Sequence, residues 1–511
     1  MRCRGCIVLV LLCLSACSGT PPASQKAQGA VPSTAPSPLS QAELRTTDGA
    51  IALGNLEAQI AGEERLASYG PLTVSQRAGI AELLAMRGQF LGRVADYERA
   101  EDIAEQLVRA APTDGGAFLA RAQARALFHR FGEALTDLAE AERLGLHNDR
   151  IEWLRATIFQ AIGRYDEALA IRQRLGEVHA DIRSLGAEAS VRADRGEIAA
   201  AEDLFIKAQR AYRDVSPFPV VWLYVQQGLM WMREDNLERA RALFEAAYTR
   251  LPAYAAAQGN LAEVEAALGR HERSLALLRT WMQEGSLERA WALSEAPFPA
   301  TTSAEGFRAA FSASARHQFS GPPSSQLSGS TAPQHRIEAA AALGRYERAI
   351  TLLRPLAHNS DDPEYAGQLA RLLSEVGQAE EARYWREMAA TRYDDLLARH
   401  PEAFVDHAAE FWLTAGGDPH KGLLLAEKNL GIRQTPRAYE LVLQAALATQ
   451  ATAVACRAAE QATAAGHLWP RLRTLVSLAF AACGRPPLER AASGADTADR
   501  SGPSVAPAAL P

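Results

Sequence analysis

The chain has almost no lysine: Lys26, Lys207, Lys421 and Lys428 are the only ones among 54 basic residues, and arginine carries the rest. No stretch gathers basic residues as a phosphate-tracking surface would, and the formal net charge is −6. Nucleic acid is therefore not an expected partner. Aromatic residues are scarce at 7% while alanine abounds, which suits close-packed helices better than strands. The motifs of common catalytic sites are missing too: no GxxxxGK[ST] phosphate loop, no GxSxG nucleophile turn and no HExxH zinc helix. His407 and Glu410 stand one helical turn apart with Asp406 adjacent and His400 near, but no third ligand follows at a metal-binding spacing. They read as a solvated polar helix face. Asp361-Asp362-Pro363 reads as the acidic start of a helix rather than a catalytic carboxylate pair. The expectation is a protein without catalysis, metal or cofactor.

What is present begins with an address. Arg2 and Arg4 precede a short apolar run, Gly5 to Ala16, too short for a permanent membrane span and typical of a secretory leader. It ends Leu14-Ser15-Ala16-Cys17, which resembles the lipobox of bacterial lipoproteins. That resemblance implies a signal peptide over 1–16, cleavage before Cys17 and lipidation of Cys17. Ser18, rather than Asp, after the cysteine implies the outer membrane, with the protein lipid-anchored to the envelope and facing the periplasm. Residues 17–40 form a Pro/Ser/Ala-rich tether without apolar periodicity. The mature chain then keeps only Cys456 and Cys483 besides the anchor. They either pair in an oxidising compartment or stay as two buried thiols.

The body of the chain is repetitive. After a helical cap expected over 41–74, one phrase recurs: a small or polar turn, an apolar residue, two polar residues, then alanine. It reads ADYERA to Ala100, HRFGEA to Ala134, GRYDEA to Ala168, GEIAAA to Ala201 and DNLERA to Ala240. It returns as GRHERS to Ser274, GRYERA to Ala349, GQAEEA to Ala382, DPHKG to Gly422 and weakly as ATAVA to Ala455. The spacing is mostly 33 to 34 residues. Glu234 to Pro252 shows the logic, with Leu237, Ala240, Phe244 and Ala247 on one helical stripe and proline where the helix must stop.

This period and phrase resemble the tetratricopeptide repeat (TPR), a pair of antiparallel helices. The resemblance covers roughly 75–296 and 335–484. It implies an all-α, TPR-type α-solenoid of roughly nine to ten helix–turn–helix repeats. The alanine opens each second helix, with a large apolar residue four positions later (Leu138, Phe205, Phe244, Leu278, Leu353). A small residue marks the crossing point in each first helix (Gly88, Ala122, Ala156, Gly228, Ala262, Ala370). Arg172 and Arg386 depart from the large apolar position. Ser274 and Ala349 lie 75 residues apart where two repeats need about 68. The excess is expected as an extra helix over 286–295 and a poorly ordered insertion over 297–334, and 485–511 as a disordered tail.

Stacked repeats make a curved rod with a concave groove. In the TPR family that groove binds peptide segments through first-helix side chains, which map onto Arg150, Trp153, Trp222, Val225, Leu229, Met232 and Arg233. The implied function is a non-catalytic scaffold or adaptor binding other envelope proteins during assembly of an envelope complex. The alternatives are a structural spacer, or an envelope enzyme with catalytic groups in degenerate repeats.

Overall fold

The computed structural model describes residues 44–284, 332–486 and 488, with 270–284 and 332–343 as backbone alone. The expected leader, Cys17, tether, extra helix and most of the insertion and tail lie outside these residues. The described residues form twenty helices and no strand. A single helix, α1 (Gly49–Ala67), leads into the pairs α2 (Val74–Leu91) with α3 (Val94–Ala110), α4 (Gly115–Leu127) with α5 (Phe131–Arg143), α6 (Asp149–Ala161) with α7 (Tyr165–Val178), α8 (Ile182–Asp194) with α9 (Ile198–Ala211) and α10 (Pro217–Arg233) with α11 (Leu237–Arg250). Then come α12 (Ala255–Glu284) with α13 (Ala332–Asn359), α14 (Pro363–Glu375) with α15 (Ala379–Arg399), α16 (Pro401–Leu413) with α17 (Pro419–Ile432), α18 (Pro436–Ala448) with α19 (Thr452–Ala465), and a closing helix α20 (Pro470–Ala482). This is an all-α, TPR-type solenoid.

The recurring phrase is the joint of each pair. The residue that ends the first helix and turns the chain takes a left-handed backbone: Gly92, His129, Gly163, Gly196 and Asp235, then Gly377, Gly417, Gln450 and Gly484. That conformation is cheap for glycine and next cheapest for small polar residues, hence the turn vocabulary. The following alanine is pressed against the first helix: Ala134, Ala168, Ala201, Ala240 and Ala455 have no exposed surface. Where glycine replaces it at 422, a Cβ would stand 2.8 Å from Leu413. At the crossing point, a Cβ on Gly228 would stand 2.5 Å from the Phe244 ring.

Three details correct the sequence frame. Arg386 does not fill the large apolar position of its unit; Trp385, at 2% exposure, does. Arg172 does fill its own, at 3% exposure, because its guanidinium lies 4.5 Å above the Trp153 ring and donates to Thr157 Oγ1 at 2.7 Å. GRHERS and GRYERA are not turns: α12 and α13 run straight through them as long antiparallel partners. Gln258 Nε2 donates to the Leu352 carbonyl, and Arg345 pairs with Glu265 at 2.9 Å. A lone glycine costs a helix only about 1 kcal/mol, so neither Gly269 nor Gly344 ends it. Ala255–Leu268 and Tyr346–Asn359 thus make one repeat, with its joint carried off by the lengthened helices. The second of these begins at Ala332, inside the stretch 297–334 expected to lack helix.

The ribbon of pairs also closes on itself. The joints of the first pairs rest on the starts of later first helices. Phe90 lies 4.6 Å from Phe218 and 4.8 Å from Tyr254. The Gly92 carbonyl accepts from Ser360 Oγ, and the Val94 and Ala95 amides donate to the two Asp361 carboxylate oxygens at 2.6 and 2.9 Å. Phe128 stacks on His400 at 3.9 Å, Gly163 abuts Gln434, Gly196 abuts His467, and Glu234 meets His467 at 3.4 Å. Successive pairs thus meet partners about 270 residues further on. The solenoid is a tight coil whose second turn is seated against the first along a continuous seam.

Candidate functional site: the inner face and the seam that closes it

Successive first helices touch one another, as α2 does α4, α8 does α10, and α18 does α20, while successive second helices make no comparable contact. In a curved ribbon the crowded layer is the inner one, so the first helices line the inside. Their inner side chains form polar rows across pairs. Gln160 on α6 donates to Ser190 and Asp194 on α8 at 3.0 and 2.8 Å. Ser190 reaches Gln226 on α10 at 3.5 Å, and Arg233 binds Asp194 at 2.7 Å.

The second turn carries a denser network. His407 Nδ1 lies 3.0 Å from Glu364, Arg433 binds Asp406 at 2.6 Å, and Arg437 bridges Glu410 and Glu440. Glu440, 3% exposed, also accepts from Trp469 Nε1 at 2.9 Å. Asp406, with Glu364 adding to it, pushes the His407 imidazole up to about 10 against the opposing effect of burial. Burial works to raise the Asp406 carboxyl, but His407 and Arg433 outweigh it and hold the group below the usual range. Burial, followed by Arg433, pushes His129 of the first turn down to about 4. Burial also lifts Asp362, which caps α14, to about 6, with Glu364 adding to the effect. Glu410 and Arg437 keep 44% and 38% of their side-chain surface accessible, although desolvation is the largest influence on both.

The polar residues around His407 are divided by the fold. His400 belongs to the seam, bonded to Glu98 at 3.0 Å, while Asp406, His407 and Glu410 belong to the inner network of ion pairs, with His407 and Glu410 keeping accessible surface. Among the described residues no group of three or more such side chains could hold a metal ion.

The expected binding residues fall in three places. Val225, 2% exposed, is core and corrects the expectation: a ring of helices this tight buries a residue that an open groove would display. Trp153, Trp222, Leu229 and Met232 are half-buried packing residues, with Trp153 under Arg172 and Trp222 against Gly186. Arg150 pairs with Glu82 of α2. Arg233 does more than line the inside. Its guanidinium also lies 5.5 Å over the Trp469 ring, and so ties the two turns together. The family frame missed the polar rows, although Gln160 and Asp194 stand 34 residues apart, one repeat period.

The chain matches no family model and no curated protein. Among solved structures it resembles human IFIT1, solved as a dimer with m7Gppp-AAAA, at 14% identity over 85% of this chain and 74% of that one, with a TM-score of 0.32. A tetratricopeptide repeat protein from Parabacteroides merdae matches at 13% identity over 72% and 98%, with a TM-score of 0.28. YrrB, a TPR protein with an unusual peptide-binding site, matches at 18% over 36% and 90%, with a TM-score of 0.24. The likeness is one of fold.

Proposed function

We propose that this protein is a non-catalytic scaffold that holds segments of partner proteins against the inner face of its coil, and that a lipid on Cys17 tethers it to the bacterial envelope, at the outer membrane and facing the periplasm. The observation behind the binding role is the inner face itself. Side chains from six first helices there combine accessible surface with paired charges and amide donors and acceptors. A polypeptide segment offers the complementary backbone and side-chain groups. The leader sequence and the Cys456–Cys483 disulfide, which joins α19 to the end of α20, support an exported protein.

Crosslinking in intact cells, with mass spectrometry of the captured proteins, tests the scaffold. A Ser190→Ala, Gln226→Ala variant changes the inner row while leaving the seam alone, and is expected to lose a defined set of envelope partners. Capture of the same proteins by both forms would place binding elsewhere. Loss of palmitate labelling in Cys17→Ala tests the anchor, and labelling that persists would refute it. The alternative of a passive spacer is favoured by the self-closed coil, and it predicts no phenotype for any inner-face alanine.

A further inference from the structure

Helix α1 leads the ribbon, and its outward side is unlike those of the helices that follow. Inward, Ala52, Leu56 and Ile60 enter the main core, and Glu64 holds Arg99 of α3 at 2.6 Å. The second helices of later pairs turn charge to solvent: α7 exposes Asp166, Glu167, Arg174 and Glu177, and α9 exposes Asp203, Lys207 and Arg210. α1 instead exposes Ile51 at 58%, Leu66 at 47% and Tyr69 at 86%, the last just past its end on the free rim where α2, α4, α6 and α8 start. Apolar side chains gathered in this way mark a contact surface. Steps of three and four residues put Ile51, Asn55, Ala58, Gly62, Arg65 and Tyr69 on one face. Between its large residues the face is low: a Cβ on Gly54 would meet nothing within 4 Å, and one on Gly62 only the Arg65 guanidinium at 4.0 Å. The exposed charges of α1 are opposite in sign, with Arg65 near its end and Glu57 about two turns earlier. About 12 Å of helix separates them, too far for a pair, and neither forms an ion pair with another described residue.

We infer that this face is an interface between two copies of this chain, which pair antiparallel along α1 with Ala61 on the two-fold axis. The charges choose the partner and the direction. With Arg65 of one copy beside Glu57 of the other, Tyr69 falls between Ile51 and Asn55 of the second copy, and Leu66 over the low ground between Gly54 and Ala58. The two-fold repeats each contact. Ala58, Ala61 and Gly62 meet at the centre, where small side chains let the helices approach closely. Parallel pairing would instead set Arg65 on Arg65 and leave Gly54 facing Gly54. The interface uses no residue of the inner face, so it does not rest on the scaffold reading.

Cysteine crosslinking of the full chain in intact cells tests it. Under mild oxidation Ala61→Cys is expected to give a disulfide-linked species of twice the chain mass, and Thr136→Cys, on the exposed side of α5, is not. In the Ala61→Cys background, Leu66→Glu should cut the yield about tenfold. Glu57→Arg and Arg65→Glu should each cut it about two- to fivefold, the worth of an exposed ion pair. The two reversals together should restore the yield, because the reversed pair re-forms only across the two-fold. That recovery also separates loss of the interface from unfolding. A monomer from Ala61→Cys, equal yields from both cysteines, or a double reversal as weak as the single ones would each overturn the interface. So would an Ala61→Cys product whose mass shows a different protein attached.

Discussion

Removing the Asp361 carboxylate should loosen two distant parts of the chain at once. Helix α3 starts without help from its own sequence, since Arg93 at its N-cap makes no side-chain bond. Its first two amides are satisfied by Asp361, 267 and 266 residues away. Loss of an N-cap costs about 0.5–2 kcal/mol, and bonds to a charged acceptor lie at the upper end of that range. We therefore expect Asp361→Ala to cost about 1–2 kcal/mol, which is roughly a 5- to 30-fold rise in local opening at 0.59 kcal/mol per RT. Exchange of the Val94 and Ala95 amides reads this directly, because no other acceptor protects them. Asp114→Ala is the matched comparison: it removes an ordinary cap, the bond to the Gly116 amide, at the free rim. It should cost a similar amount locally and leave exchange of Val94 and Ala95 untouched. If Asp361→Ala changed Val94 and Ala95 exchange by less than twofold, the long-range cap would not exist in solution and the seam would lose its strongest polar link.

Glu440→Ala should destabilise α20 by about 2 kcal/mol, less than the 3–5 of a fully buried pair because Arg437 and Arg471 are partly exposed; unchanged Trp469 fluorescence and denaturation midpoint would contradict it. Stability should fall as pH drops from about 6.5 to about 4 through His129, because the unfolded chain takes up the proton first in that window. Asp362, lifted to about 6, acts in the opposite sense between about 6 and 3.8. Hence His129→Gln, which leaves Arg433, Asp406 and His407 facing a neutral amide, should become less acid-sensitive than the parent in denaturant midpoints from pH 7 to 4. An identical pH profile would refute this. Reducing Cys456–Cys483, which closes a loop of 27 residues' separation, should cost the C-terminal helix ~3–4 kcal/mol; proteolysis after α19 that is no faster with reductant would count against it.

The pairs were legible because their signals are local. A turn residue, an alanine and a large apolar residue recur within a few positions, and each is demanded by contact with its sequence neighbour. The same locality explains the failures. GRHERS has the phrase of a joint, but a long antiparallel partner makes continuing the helix the better use of its residues. Val225 sits on the face that a frame taken from open solenoids turns toward a ligand, and only the tightness of the ring buries it. The seam pairs residues such as Ala95 with Asp361, and contacts at that separation impose no period. Their one local trace is the run of prolines at 363, 401, 436 and 470, which reads as helix punctuation until the fold places all four along one edge. Asp361-Asp362 was legible as a helix start, but not as the start of two helices.

The two edges of the ribbon are not equivalent docking surfaces. A screw whose second thread grips its first could go on adding threads, with the next supplied by another molecule. Here the free rim of the first turn ends in Thr73, Asp114, Asn148 and Asp181, each already spent on its own helix amides. A second molecule arriving there would find neither the prolines nor a counterpart of Asp361. The contacts that hold the second thread on the first are therefore not repeated along the outer edge, and the two edges of the ribbon are unlike.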